Sequence, residues 1–297
     1  MTIKKYHYTI NLNSKDVKDQ NNSTKSSLVF NFHSLLTNED EVFDAKIGII
    51  DAQIPVSFYN INAYNNTLNY TINGLSKTLN LDVGNYNETN FITNIKLKFI
   101  SLGDSFSILF NKITGKLQFT NLDNYDFIFL NSSLFSVIGF KKDNDFSSSS
   151  FVLSGIYPFS IIGTKKLKII SEQINLRNYD SYKSSTINAL GFIPVNACAF
   201  GMILYENRSG KYSSLQMMAL DNFEISLLDD DNNPIDFNGI DWSMTLQLTI
   251  YKNEEDRKST SFSDMFKNDK QQSNAIVENN FYDDDLQFLL YQNRILI

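Results

Sequence analysis

The chain has 297 residues, 42% of them hydrophobic, with 26 basic and 33 acidic side chains and a formal net charge of −7. That length allows one large domain or two modest ones, and the acidic balance excludes a generic nucleic-acid binder, which carries a basic face. Cys198 is the single cysteine, so neither an internal disulfide framework nor a cysteine-based zinc site is expected. No segment reaches 18 apolar residues, so no membrane span is expected. The first 30 residues lack the apolar run of a secretory signal, so folding in a reducing compartment is expected. With 24 Phe and 15 Tyr, each buried ring contributing about 1.5–3 kcal/mol, a sizeable core is within reach.

The first block reads as β. Residues Tyr6 to Asn13 put Tyr8, Ile10 and Leu12 on one face, the period of a half-buried strand. A polar loop follows, then strands over Leu28 to Phe32 and Val42 to Ile54. Pro55 closes the third, because proline cannot donate to a central ladder. After it, "SFYNINAYNN" mixes large aromatics with asparagine. This marks a junction where the chain leaves the main fold.

From about residue 65 the character changes. Asn73-Gly74 sits between two strand-like runs, and this dipeptide accepts the positive φ angles of a tight hairpin. Asn87 is a candidate N-cap for a helix whose Phe91, Ile92, Ile95, Phe99 and Ile100 recur at helical spacing. A second hairpin turns near Thr114-Gly115, "DFIFL" is a strand, and "SSLFSVIGF" is a short helix. Ser132 or Ser133 would start that helix and Gly139 would end it. The block is an α+β unit within a β chain.

After the serine-rich "KKDNDFSSSS", strands resume at "SFVLSGIYPF" and over Lys165 to Leu176. Asn196 to Asn207 is largely apolar, as a strand buried on both faces would be. The last strand runs from Trp242 to Tyr251, with Trp242, Met244, Leu246, Leu248 and Ile250 alternating with polar residues. About eight strands lie outside the α+β unit, which is the strand count of a jelly roll. The expected class is therefore mainly β: a single eight-stranded antiparallel jelly roll built from residues 1–62 and 150–252, an inserted α+β cap domain at 63–149, and a C-terminal tail at 253–297. The tail carries nine acidic and five basic residues. Its end, "DDDLQFLLYQNRILI", is apolar after three aspartates, which suit a helix N-terminus.

Catalytic and metal motifs are largely missing. His7 and His33 are the only histidines. Neither sits in a nucleophile motif, and both read as structural. The acidic turn "DDDNNPIDFNGI" fails as an EF-hand loop, because Pro234 and Ile240 stand where Gly and Glu are needed. Phosphate-loop and dinucleotide fingerprints are absent. Few glutamates are available for a paired-carboxylate glycosidase, so a jelly-roll hydrolase ranks low. "KKLK" at Lys165 to Lys168 reads as an exposed face or a lysine-protected edge. The sequons, such as Asn69 to Thr71, follow from asparagine richness. No enzyme, cofactor or metal is expected.

In order and spacing, "IPVSFYNI" followed by Asn65-Asn66, "GNYNETNF", Leu134 to Phe140 ending in "IGF", and "PIDFNGIDWSMTLQLTIY" resemble the penton (minor capsid) proteins of virophages and Maverick/Polinton-like viruses. The likeness covers about residues 45–252. It implies a jelly roll standing perpendicular to a capsid surface, a homopentamer that plugs each five-fold vertex of an icosahedral virion, and double-jelly-roll major capsid proteins as partners. Assembly in the host cytoplasm follows, with no specific nucleic acid, and the inserted domain is a candidate for contact with the host surface. Residues Leu286, Phe288, Leu289 and Leu290 of the tail form the candidate assembly interface, to dock on a neighbouring subunit. The rival reading is a trimeric receptor- or carbohydrate-binding β-sandwich spike.

Overall fold

The computed structural model describes residues 2–17, 25–31, 42–174, 178–180, 185–215 and 222–254. Ile3–Asn253 forms one compact unit. His33 and the tail residues Leu286, Phe288, Leu289 and Leu290 lie outside the described residues.

In chain order the first strands are β1 (Thr2–Asn13), β2 (Ser27–Asn31) and β3 (Val42–Pro55). There follow β4 (Thr67–Ile72), β5 (Leu75–Asn80), helix α1 (Glu88–Ser101), β6 (Phe106–Asn111), β7 (Lys116–Asn121) and β8 (Phe127–Leu130). Helix α2 (Phe135–Ile138) leads to β9 (Phe146–Ser147) and β10 (Val152–Ser154). The remaining strands are β11 (Lys166–Ile170), β12 (Asn178–Asp180), β13 (Ser185–Ile187), β14 (Ala189–Pro194), β15 (Met202–Glu206), β16 (Ser213–Ser214), β17 (Asn222–Leu228) and β18 (Ser243–Glu254). The described chain is mainly β, in several sheets whose recorded pairings are antiparallel.

One core is shared by a sheet of order β1-β18-β3-β15, with β16 also on β3, and a sheet of order β14-β11-β17-β2. The alternation of the last strand is what closes it. Met244, Leu246, Leu248 and Ile250 are buried, while Ser243, Thr245 and Gln247 are half-buried on the other face. Trp242 packs edge-on against Phe30, with ring centroids 6.2 Å apart, and its indole N–H donates to the Lys25 carbonyl at 2.9 Å. Strands β1 and β18 run in opposite directions: His7 meets Thr249 at 3.1 Å, and the Ser14 N–H donates to the Trp242 carbonyl at 3.0 Å. Pro55 is tolerated in a central strand because β18 reaches only as far as Gln53, so no ladder partner on that side needs its missing N–H.

A second core gathers residues from Ile61 to Phe140, with Phe146, Leu153, Phe159 and Ile161 packed against it. The Asn73-Gly74 turn has φ of 48° and 74°, the left-handed pair that a two-residue hairpin requires. Asn87 caps α1 by accepting from the Asn90 N–H at 2.8 Å. The α1 C-terminus is held by Lys77, whose ammonium donates to the Leu102 carbonyl (2.9 Å) and to Asp104 (2.7 Å). The fully buried Tyr70 donates to the other oxygen of Asp104 at 2.5 Å. Burial first, then this hydrogen bond and the neighbouring carboxylate, pushes the Tyr70 phenol well above its ordinary range.

Four readings of the sequence need correction. Helix α2 is capped by neither serine. Leu134 occupies its N-cap position without a side-chain bond, because the Ser132 hydroxyl accepts from the Asn69 N–H and the Ser133 hydroxyl from the Thr67 N–H. Strand Val152–Ser154 pairs with β7 of the second core rather than with the first. The strand expected over Asn196 to Asn207 is shorter and alternates: Met202, Leu204 and Glu206 are exposed, and only Ile203 is fully buried. It lies at the end of its sheet, and Met202 and Leu204 stand on the face turned away from the core. Finally, Lys165 and Lys166 are exposed as the "KKLK" reading expects, but β11 is an interior strand and Lys168 is only 3% exposed. Its ammonium donates to the Asp230 carbonyl (2.9 Å) and the Asn232 side-chain oxygen (2.8 Å).

Candidate functional site

Two features combine exposure with built geometry. The first is the flank carrying the end strands β14 and β15. The segment between them turns tightly, with the Gly201 N–H donating to the Cys198 carbonyl at 2.9 Å. This turn holds Phe200 at φ 65° while its N–H donates to the Val56 carbonyl at 2.8 Å. A phenylalanine in the left-handed region costs on the order of 1–3 kcal/mol, yet the residue is 80% exposed. The strain displays the ring instead of burying it. Met202 and Leu204 continue the exposed apolar row, and Phe192 is half-exposed on β14 under the Lys166 ammonium.

Away from that strand the outer face of the same sheet is polar. Leu204 lies opposite Gln53, and Glu206 opposite Asp51. Beyond them come Ser243 and Thr245, the latter donating to Asp51 at 3.0 Å. Natural edge strands are usually blunted with charge. Here the apolar residues are concentrated at the edge itself.

The second feature is the junction at which the chain leaves the first core and returns to it. The Asn60 side chain ties the two passages together. Its amide donates to the Tyr86 and Ile161 carbonyls (2.8 and 2.9 Å), and its oxygen accepts from the Tyr86 N–H (2.9 Å). Gly163 packs against it, where a Cβ would press on Asn60 at 3.0 Å. Phe58 meets Phe237 edge-on at 6.1 Å, and the Ser57 hydroxyl donates to the Phe237 carbonyl at 2.7 Å. Two neighbouring cavities of about 390 and 330 Å³ open at this junction and share Asn62, Tyr64, Thr164 and Asp229.

The acidic turn of the sequence forms one wall. Asp229 accepts from the Asp231 and Asn233 N–H groups, each at 2.8 Å, and the Asp230 side chain accepts from the Lys165 N–H at 2.7 Å. The cation that this turn holds is the Lys168 ammonium. Among the described residues no group of three or more His, Cys, Asp or Glu is placed to hold a metal. Sequence reasoning singled out Pro55 and the aromatic-asparagine stretch. It did not find the tie made by Asn60 within that stretch, nor Phe200, whose roles depend on partners 26, 101 and 144 positions away.

No protein-family model matches the chain, and no curated protein matches it. Among solved structures it is similar to the mavirus penton protein, with a TM-score of 0.44 at 14% identity over 84% of this chain and 100% of that one. It is also similar to a chain of the Sputnik virophage particle, with a TM-score of 0.39 at 10% identity over 84% of this chain and 98% of that one. The chain is thus similar over most of its length to a virophage penton protein, with its strand order and surface left to speak for its role.

Proposed function

We propose that this chain is a structural capsid subunit, a penton that closes the five-fold vertices of an icosahedral virion as a ring of five. The observation that carries the reading is the strand order. Numbering β1, β2, β3, β11, β14, β15, β17 and β18 from one to eight, the sheets read 1-8-3-6 and 5-4-7-2. Leaving aside the short β16 on β3, this interleaving of two four-strand paths is the order expected of the double Greek key of a jelly roll, and it supports that reading. The second core, in this reading the inserted α+β domain (residues 63–149 with the flanking strand), hangs from the connection between the third and fourth barrel strands. The resemblance of the sequence motifs supports the same assignment. A ring requires head-to-tail contacts that close by rotation, and the Phe200, Met202 and Leu204 row supplies an apolar patch for one side of such a contact. The double-jelly-roll major capsid protein is the surrounding partner, and assembly takes place in the host cytoplasm.

Native mass spectrometry tests this. A species at five times 34.1 kDa is expected, and Leu204→Asp should weaken it by about 2 kcal/mol or more per interface, as loss of a central apolar anchor does. A stable trimer would instead favour a spike. A chain that stays monomeric and also fails to enter particles when co-expressed with its major capsid protein would overturn the proposal.

The apolar end of the tail is proposed to dock on a neighbouring subunit through Leu286, Phe288, Leu289 and Leu290. Deletion of residues 281–297 should lower the yield of assembled particles while leaving the unfolding transition of the remaining chain in place. Particle yield equal to that of the full chain would remove the tail from the interface.

A further inference from the structure

The junction groove has a chemistry that vertex closure does not use. Tyr64 stands between the two cavities with nearly half its surface exposed. Its position is fixed by a chain of side-chain bonds. The Asn62 oxygen accepts from the Tyr64 N–H (2.9 Å), the Asn65 oxygen accepts from the Asn62 N–H (2.7 Å), and the Asn65 amide donates to the Asn60 carbonyl (2.9 Å). The opposite wall is the acidic turn, stiffened from beneath by Lys168. Both walls are therefore set before anything binds, which lowers the ordering cost of binding.

Several polar groups lining the groove remain unused. The hydroxyls of Ser136, Ser160 and Thr164, the Asp231 carboxylate and the Lys142 ammonium line the larger cavity. None of these side chains has a hydrogen-bond partner among the described residues. Four aspartates (229, 230, 231 and 236) and two lysines (142 and 165) border the two cavities, so the groove is net acidic and repels phosphates and carboxylates. A rigid tyrosine offers apolar area at low entropic cost, with planar amides and carboxylates around it for orientation. The ligand class that presents an apolar C–H face, several neutral hydroxyls and no negative charge is a saccharide.

We propose that the groove between Tyr64 and the Asp229–Asp231 turn binds a neutral saccharide, with the sugar ring lying on Tyr64 and its hydroxyls bonded to Asp231, Thr164 and Ser160. All the residues that line it come from a single chain, so its test does not depend on the vertex reading. Its test is saturation-transfer NMR with the full-length chain, using oligosaccharides that end in mannose, galactose, glucose or N-acetylglucosamine, beside sialylated counterparts. Transfer to at least one neutral series is expected. Affinity should fall at least tenfold in Tyr64→Ala and severalfold in Asp231→Asn, with unfolding midpoints unchanged because both side chains are exposed at the groove. Binding of no neutral series, preference for the sialylated series, or binding unaltered by Tyr64→Ala would each overturn the proposal.

Discussion

Gly139→Ala should destabilise the second core by about 2–5 kcal/mol, the sum of a left-handed residue forced to carry a Cβ and an overpacked contact. Gly139 ends α2 at φ 84°, its N–H donating to the Phe135 carbonyl at 3.0 Å. A Cβ there would collide with the Tyr157 carbonyl, whose own residue donates its N–H to the Gly139 carbonyl at 2.9 Å. The chain returning toward the first core is thus hydrogen-bonded to the very residue that would have to move. Gly74→Ala supplies the reference. It has φ 74° and nothing within 4 Å of its would-be Cβ, so it carries the conformational cost without the collision. Calorimetry should show a midpoint drop on the order of 10 °C for Gly139→Ala and a clearly smaller one for Gly74→Ala. Equal drops would mean that the Tyr157 segment yields freely.

Lys168→Ala is the second large effect, expected at about 3–5 kcal/mol in denaturant unfolding. The ammonium makes two hydrogen bonds to the acidic turn in a nearly fully buried position. Bonds to a charged group contribute about 1.5–3 kcal/mol each, and removing the cation leaves the Asp230 carbonyl and the Asn232 oxygen without that donor. Lys168→Met retains the stem and separates lost packing from lost bonding. If Lys168→Ala cost less than about 1 kcal/mol, water would have to satisfy the turn as well as lysine does. Because the same turn is one wall of the groove, the two variants should also reduce saccharide binding.

Much of the fold was legible where one physical preference dominates. The period-two pattern of β18, the Asn73-Gly74 turn and the Asn87 cap are local signals, and each is realised within a few residues of itself. Legibility failed where a remote partner decides. "KKLK" looks solvated until a turn some sixty positions later covers Lys168. Ser132 and Ser133 look like caps until β4 claims both hydroxyls. "NACAFGMILYEN" looks like a strand buried on both faces, but hydropathy cannot tell an apolar face aimed at a core from one left at a sheet edge, and Met202 and Leu204 are of the second kind. The candidate site fared similarly. The stretch after Pro55 announced a junction, while Tyr64, Thr164 and the acidic turn converge only because the second core is hung there. The apolar tail residues lie outside the described chain, so their role stays with the deletion experiment.

The strand order also sets a timetable for synthesis. The second core draws its paired strands from at most about sixty positions apart, as in Asn69 with Leu130, whereas β3 must wait for β18, whose first partner, Ser243, lies 190 residues beyond Gln53. Long loops make closure slow, and local contacts form first. On a translating ribosome the inserted segment can therefore condense while its host barrel is still missing β17 and β18. Until Ser243–Glu254 emerges, β3 lacks its longest partner and the aliphatic side of the barrel stays open. That interval is when this chain is most exposed to aggregation, and a cotranslational chaperone would have most to protect in β1–β3 while the stretch between Pro55 and Trp242 is being made.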